Sequence, residues 1–174
     1  MEIRKARKDD LLTIQDMAQV VFRQTYKDIL SPEQMEYMIE MMYSMPNLLQ
    51  QLADGHHYYI AWEDDIPCGY VSVQYEGDDP EGISIFHLHK IYVMPASQGH
   101  GTGLLLFETV LKHVRDSIDG KPARIELNVN KHNKAVGFYR HLGMRILLEE
   151  DFPIGNGFYK TDYIMGLDLP AITD

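Results

Sequence analysis

The sequence contains one cysteine, one tryptophan and 16 Lys and Arg against 26 Asp and Glu. The lone Cys68 excludes an internal disulfide and fits a reducing compartment. No apolar run approaches the roughly 18 residues that suggest a membrane span, so none is expected. Met1 to Asp10 is charged and lacks an apolar core, so no secretory signal is expected and the expected location is cytoplasmic. The formal net charge of −10 argues against a broad nucleic-acid surface and is compatible with a cationic ligand. Internal repeats, low-complexity tracts and linkers are also missing. What is present is ordinary globular composition, 45% apolar and 24% charged. The 174 residues are enough for a sizeable core and are read as one domain, 1–174.

Local patterns place the elements. Glu2 to Arg7 reads as a short strand. Asp9 or Asp10 is expected to cap a helix whose apolar face is Leu11, Ile14, Ala18 and Val21. Ser31-Pro32-Glu33-Gln34 has the form of a capping box with proline at the first helical position, and Met35, Met38, Ile39 and Met42 form the stripe behind it. Pro46-Asn47 is expected to end that helix. The period then changes to two. Tyr58 to Trp62 and Gly69 to Tyr75 read as a hairpin, and Ile83 to Val93 as a long strand. A helix is expected over 104–118 and a strand over 124–129. Asn130 or Asn133 is expected to cap a short helix that ends at Gly143. Met144 to Glu149 and Tyr159 to Leu167 read as closing strands. The fold expected is α+β: a mixed, mostly antiparallel sheet of about seven strands flanked by about four helices, with one parallel pair across the 104–118 helix.

The stretch Val93-Met94-Pro95-Ala96-Ser97-Gln98-Gly99-His100-Gly101-Thr102-Gly103 joins a strand to a helix. Its three alternate glycines bare the backbone next to a helix start, an arrangement that favours an anion such as a phosphate. A P-loop would need a lysine after the last glycine, and none is there. A dinucleotide fingerprint would need glycine at the sixth position, where Leu104 or Leu106 stands, and an earlier place in the chain. A plain glycine-rich turn is the remaining alternative on this stretch alone.

Gln98-x-x-Gly101-x-Gly103, at a strand end, resembles the pyrophosphate loop of the GCN5-related N-acetyltransferase (GNAT) family. Asn133-x-Ala135-Val136-x-Phe138-Tyr139-x-x-x-Gly143-Met144 is similar to that family's later signature, with Met144 where phenylalanine is usual. The tyrosine-rich stretch before Asn47 also resembles, more faintly, bacterial polyamine acetyltransferases.

The resemblance implies a GNAT-like acyl-CoA N-acyltransferase fold and transfer of acetyl from acetyl-CoA to a primary amine, on a small molecule, a polyamine or a peptide, by direct attack in a ternary complex. It implies that the Ile91-Tyr92-Val93 backbone pairs with the pantetheine arm and that the amides of Gln98, Gly99, His100, Gly101, Thr102 and Gly103 hold the pyrophosphate. Asn133, Phe138 and Tyr139 would contact the cofactor, with Asn130 a second asparagine candidate. Tyr139 would be the acid for the leaving thiolate. Many members carry a glutamate on the strand before the loop; the matching position here is His87, and His89 lies two residues on, on the same face. Either imidazole, or a water chain, would be the base. The same pair lacks a third metal ligand, so no metal site is expected. The family also includes homodimers. The alternative of another class is a non-catalytic module that binds acyl-CoA.

Overall fold

The computed structural model describes residues 1–172. The strands are β1 (Glu2–Lys5), β2 (His57–Glu63), β3 (Ile66–Asp78), β4 (Ser84–Val93), β5 (Ala123–Asn130), β6 (Arg145–Gly155) and β7 (Phe158–Leu169). The helices are α1 (Leu11–Tyr26), α2 (Pro32–Tyr43), α3 (Met45–Ala53), α4 (Thr102–Ile118) and α5 (Ala135–His141). The strands form one sheet in the order β1-β2-β3-β4-β5-β7-β6. Every neighbouring pair is antiparallel except β4–β5. That pair is joined through α4, as strand–helix–strand with short links requires.

Local chemistry accounts for most boundaries. Ser31 Oγ accepts from the Gln34 amide at 3.2 Å and Pro32 opens α2. The reciprocal half of that capping box does not form; the Gln34 side chain reaches across to β7, where Nε2 donates to the Tyr159 carbonyl at 2.7 Å. Pro46 does more than close α2. Ser44 Oγ accepts from the Asn47 amide at 3.3 Å and Pro46 sits in the first turn of α3, a fifth helix beyond the four read from the sequence. Neither Asp9 nor Asp10 caps α1 with its side chain; Asp10 Oδ2 accepts from the Arg7 amide at 2.8 Å across a short 3-10 turn. At α5, Asn133 is the asparagine that accepts from the first turn, from Ala135 N at 2.9 Å. β6 continues past Glu149 to Gly155, with Pro153 opposite Tyr159. Proline is tolerated there because β6 is an edge strand.

The sheet separates two cores. On one face α4 and α5 pack over Phe86, Leu88, Ile125, Leu127 and Val129. On the other, α1, α2 and α3 pack over Tyr58, Ile60 and Tyr70. The β4–β5 ladder runs from Ser84 opposite Ala123 only to His87 opposite Glu126. Beyond it β4 stays with β3 and β5 stays with β7, so the parallel pair parts in mid-sheet. Gly69 of β3 lets β4 lie close here: a Cβ on it would sit 2.8 Å from the Tyr92 carbonyl oxygen.

Two bulges lie next to this opening. Ser72 faces Lys90 while Val73 faces Leu88, which leaves His89 as the extra residue on β4. Tyr75 faces Phe86 while Gly77 faces Ile85, which leaves Glu76 extra on β3. A bulge shifts the in–out alternation by one residue. Phe86 and Leu88 therefore point to the α4 core, whereas Lys90 and Tyr92 point toward α1–α3.

Candidate active site

At the end of β4, Ser97 N donates to the Met94 carbonyl at 2.8 Å and Gln98 N to the Pro95 carbonyl at 3.4 Å. The Gln98 side chain donates to the Val93 carbonyl at 3.1 Å. Gln98 thus shapes the turn, and its amide is engaged where the family resemblance implied a free donor. From Gly99 to Leu104 the amides have no backbone acceptor among the described residues, and the first helical bond runs from Leu105 N to the Gly101 carbonyl at 3.1 Å. Gly99 and Gly101 both have φ +81°, a conformation that turns consecutive N–H groups to one side. The Thr102 side chain is buried, with Oγ1 3.5 Å from the Ser97 carbonyl, so Thr102 offers its amide and not its hydroxyl. His100 is exposed. This cradle of free amides fits a pyrophosphate, and the unpaired edge of Ile91, Tyr92 and Val93 fits an extended amide-bearing arm. Phe138 and Val93 form an apolar wall beside Gly103, whose Cβ position is 3.5 Å from Phe138 Cζ.

Tyr139 projects from α5 into the core and is 6% exposed. Burial pushes its phenol well above the usual tyrosine range, with Tyr26 adding to the shift. Its hydroxyl has no protein partner among the described residues, yet it is not one of the sealed polar atoms, so it keeps contact with open space. Tyr26 and Tyr92 place their hydroxyls 3.2 Å apart, and Asn133 Nδ2 donates to the Tyr26 hydroxyl at 3.3 Å. These bonds tie α1, β4 and the start of α5 together across the opening. Asn130 Oδ1 accepts from the His132 amide at 2.9 Å, which leaves its amide nitrogen for the cavity it lines.

On the α2 side the structure brings His87 and His89 together with two residues that the sequence reading did not single out. Glu76 Oε1 lies 3.2 Å from His87 Nδ1 and 3.9 Å from His89 Nε2. His89 Nε2 pairs with Gln74 Oε1 at 2.8 Å, and its ring stacks on His56 at 4.3 Å. Burial, helped by Lys160 and His56, pushes His87 down to about 4; burial and then His87 itself push His89 to about 2. Both are neutral near pH 7. His87 is the more basic of the two, because His89 also feels His87 itself and Lys90. The second addition is Lys90, 4% exposed, which donates to the Met42 carbonyl at 3.0 Å, to Gln51 Oε1 at 2.9 Å and to the Tyr58 hydroxyl. All three ammonium donors are therefore used, and burial pushes Lys90 down to about 7. No local sequence signal marks Glu76 or Lys90, because both reach the site through the bulges.

A cavity of about 310 Å³ is lined by His56, His87, His89, Lys90 and Met41 among others, and a smaller one of about 50 Å³ adjoins Tyr26, Tyr92, Asn128 and Asn130. Their roof is α2, held to the β6–β7 hairpin by Gln34 and by Tyr37, whose hydroxyl donates to the Ile154 carbonyl at 2.6 Å. An anion cradle at one end of a parted strand pair, with proton-carrying side chains beside the gap, is the arrangement of an acetyl-CoA-dependent N-acetyltransferase.

The comparisons agree with that class. Residues 15–163 match the family described as acetyltransferase (GNAT) domain, and the chain belongs to that family. Its fold is shared with the PaiA N-acetyltransferase of Thermoplasma acidophilum, solved with coenzyme A, at 23% identity and TM-score 0.76 over 95% of this chain and 96% of that one. A GCN5-related N-acetyltransferase of Rhodopseudomonas palustris superposes with TM-score 0.77 at 19% identity, over 97% and 95%. YncA of Salmonella typhimurium, solved with its cofactor acetyl-CoA, matches with TM-score 0.66 at 18% identity, over 100% and 96%. Among the described residues no helix is long and apolar enough to cross a membrane.

Proposed function

We propose that this N-acetyltransferase acts on a primary amine of a small molecule or peptide by direct attack in a ternary complex. The observation that carries the reading is the parting of β4 and β5 just after His87, with the amide cradle at one end and the His87–Glu76 pair beside the gap. Acetyl-CoA supplies the acyl group as a thioester. The Gly99 to Gly103 amides hold its pyrophosphate and the free edge of β4 its arm. N–H groups along that edge also face the gap, where charge develops on the thioester oxygen.

An alkylamine with a pKa of about 10.4 is neutral in only about one molecule in 10³ at pH 7, so a proton must be removed. His87 takes that proton at Nε2, which no protein group occupies among the described residues, and Glu76 beside Nδ1 stabilises the imidazolium as it forms. An imidazole pushed down to about 4 is a weak base by itself, which is why the carboxylate matters. His89, backed by a neutral amide, orients the groove. Tyr139 donates a hydrogen bond to the leaving sulfur and passes it the proton, which the phenolate regains from water at its open hydroxyl; burial keeps the phenol protonated at rest and disfavours a lasting phenolate.

Thiol release over an amine panel tests this. Tyr139→Phe is expected to lower kcat by about 10² while coenzyme A binding is unchanged. Tight coenzyme A binding with no thiol release from any amine would make the protein a binding module instead.

A further inference from the structure

Asp162 lies on β7 opposite Asn130, at the end of β5 that borders the gap. It is 2% exposed, and its Oδ2 is the one sealed side-chain polar atom without a hydrogen-bond partner among the described residues. A buried carboxylate oxygen in that state is costly unless something is meant to reach it. Its nearest cation is Lys160 Nζ, two residues along the same face, at 3.2 Å but without hydrogen-bond geometry. The Lys160 side chain is 31% exposed and lines both cavities, so it can swing from the smaller into the larger without leaving the groove. The small cavity at Asp162 is walled by the rings of Phe22, Tyr26 and Tyr92 and by Met38 and Met42. Aromatic faces and thioethers suit an ammonium on an aliphatic stem.

We infer that Asp162 is the seat for the ammonium group of an aliphatic amine acceptor, and that Lys160 occupies this seat until the acceptor displaces it. The inference rests on the acetyltransferase reading above and adds the acceptor's chemistry to it. The alkyl stem runs along the methionine and tyrosine wall, and the ammonium enters with its charge matched by Oδ2. In the exchange the acceptor takes the place of Lys160 at Asp162, and Lys160 moves into the wider cavity, where water replaces the carboxylate as the partner of its partly exposed ammonium.

The two residues predict changes of opposite sign. Acetyl transfer to an alkylamine and to an aromatic amine, neutral at pH 7, is measured for the parent, Asp162→Asn and Lys160→Met. Asp162→Asn is expected to raise KM for the alkylamine by about tenfold to a hundredfold, the loss of one charge-assisted hydrogen bond. Lys160→Met is expected to lower that KM by about twofold to fivefold, the relief of a half-exposed competing ion pair. Neither variant should move KM for acetyl-CoA or for the aromatic amine. Because Asp162 is buried, coenzyme A binding by Asp162→Asn is measured first as a check of folding, and Lys160→Met tests the inference alone if that variant does not fold. A KM for the alkylamine that is unchanged or raised in Lys160→Met overturns the inference and leaves the acetyltransferase reading standing, since the parent still turns over. No thiol release from either amine in the parent overturns both.

Discussion

Lowering the pH from 7 to 5 should destabilise this protein sharply. His87 and His89 are pushed down from 6.5 to about 4 and about 2, in each case chiefly by burial. In the unfolded chain both titrate near 6.5. Because the folded values are depressed, the stability is present above pH 6.5 and is lost as the pH falls toward the folded values. At pH 5 each unfolded imidazole holds a proton that its folded counterpart refuses. One and a half pH units at about 1.4 kcal/mol per unit give about 2 kcal/mol per residue, or about 4 kcal/mol for the pair. Their side chains are only 16% and 27% exposed, so solvent screens this modestly. His89, the more strongly depressed of the two, carries the firmer half. Domains of this size retain about 5–15 kcal/mol in all, so the loss is a large fraction of the total. The assay is the urea midpoint at pH 7, 6 and 5 with the slope m held as a control. The midpoint should fall increasingly below pH 6.5, and His89→Gln should flatten the fall by about one proton's worth. A midpoint independent of pH between 7 and 5, or an imidazole of His89 that titrates near 6.5 by NMR, would refute the reasoning.

At the cradle, Gly101 has φ +81° and open space around its Cβ position, so Gly101→Ala should cost only about 1 kcal/mol of stability yet weaken coenzyme A binding measured by calorimetry. At Lys90, held near 7 by burial, the unfolded chain keeps a proton that the folded chain releases, so stability should rise between pH 7 and 9 by up to about 1.4 kcal/mol per unit. Lys90→Met should abolish that rise in thermal or urea unfolding, and a rise of the same size in the variant would assign it to another group.

The elements were legible where the signal is local. The α4 periodicity, the Ser31-Pro32 start, the Gly143 cap with φ +97° and the strand–loop–helix join can each be read from adjacent residues, because each depends on hydrogen bonds a few positions apart. α3 was hidden because Pro46 signals both a stop and a start, and the longer β6 because Pro153 reads as a break unless the strand is known to be an edge. At the candidate site, the sequence offers His87 and His89 as base candidates and does not single out Glu76, Lys90, Lys160 or Asp162. Glu76 and Lys90 depend on where two bulges fall between β3 and β4, and Asp162 on the β5–β7 register.

By itself, then, the sequence determined a bare glycine loop between a strand and a helix, a tyrosine-bearing helix after it and an alternating strand before it. Those are consequences of backbone chemistry within a few residues. Only the tertiary structure decided that β4 leaves β5 at His87, that a single extra residue turns Lys90 to the same side as His89, and that a buried carboxylate on β7 waits at the end of the gap. The reason is that pairing between distant strands and the burial it brings set which side chains share a cavity and which protons they keep, and neither is encoded in spacing along the chain.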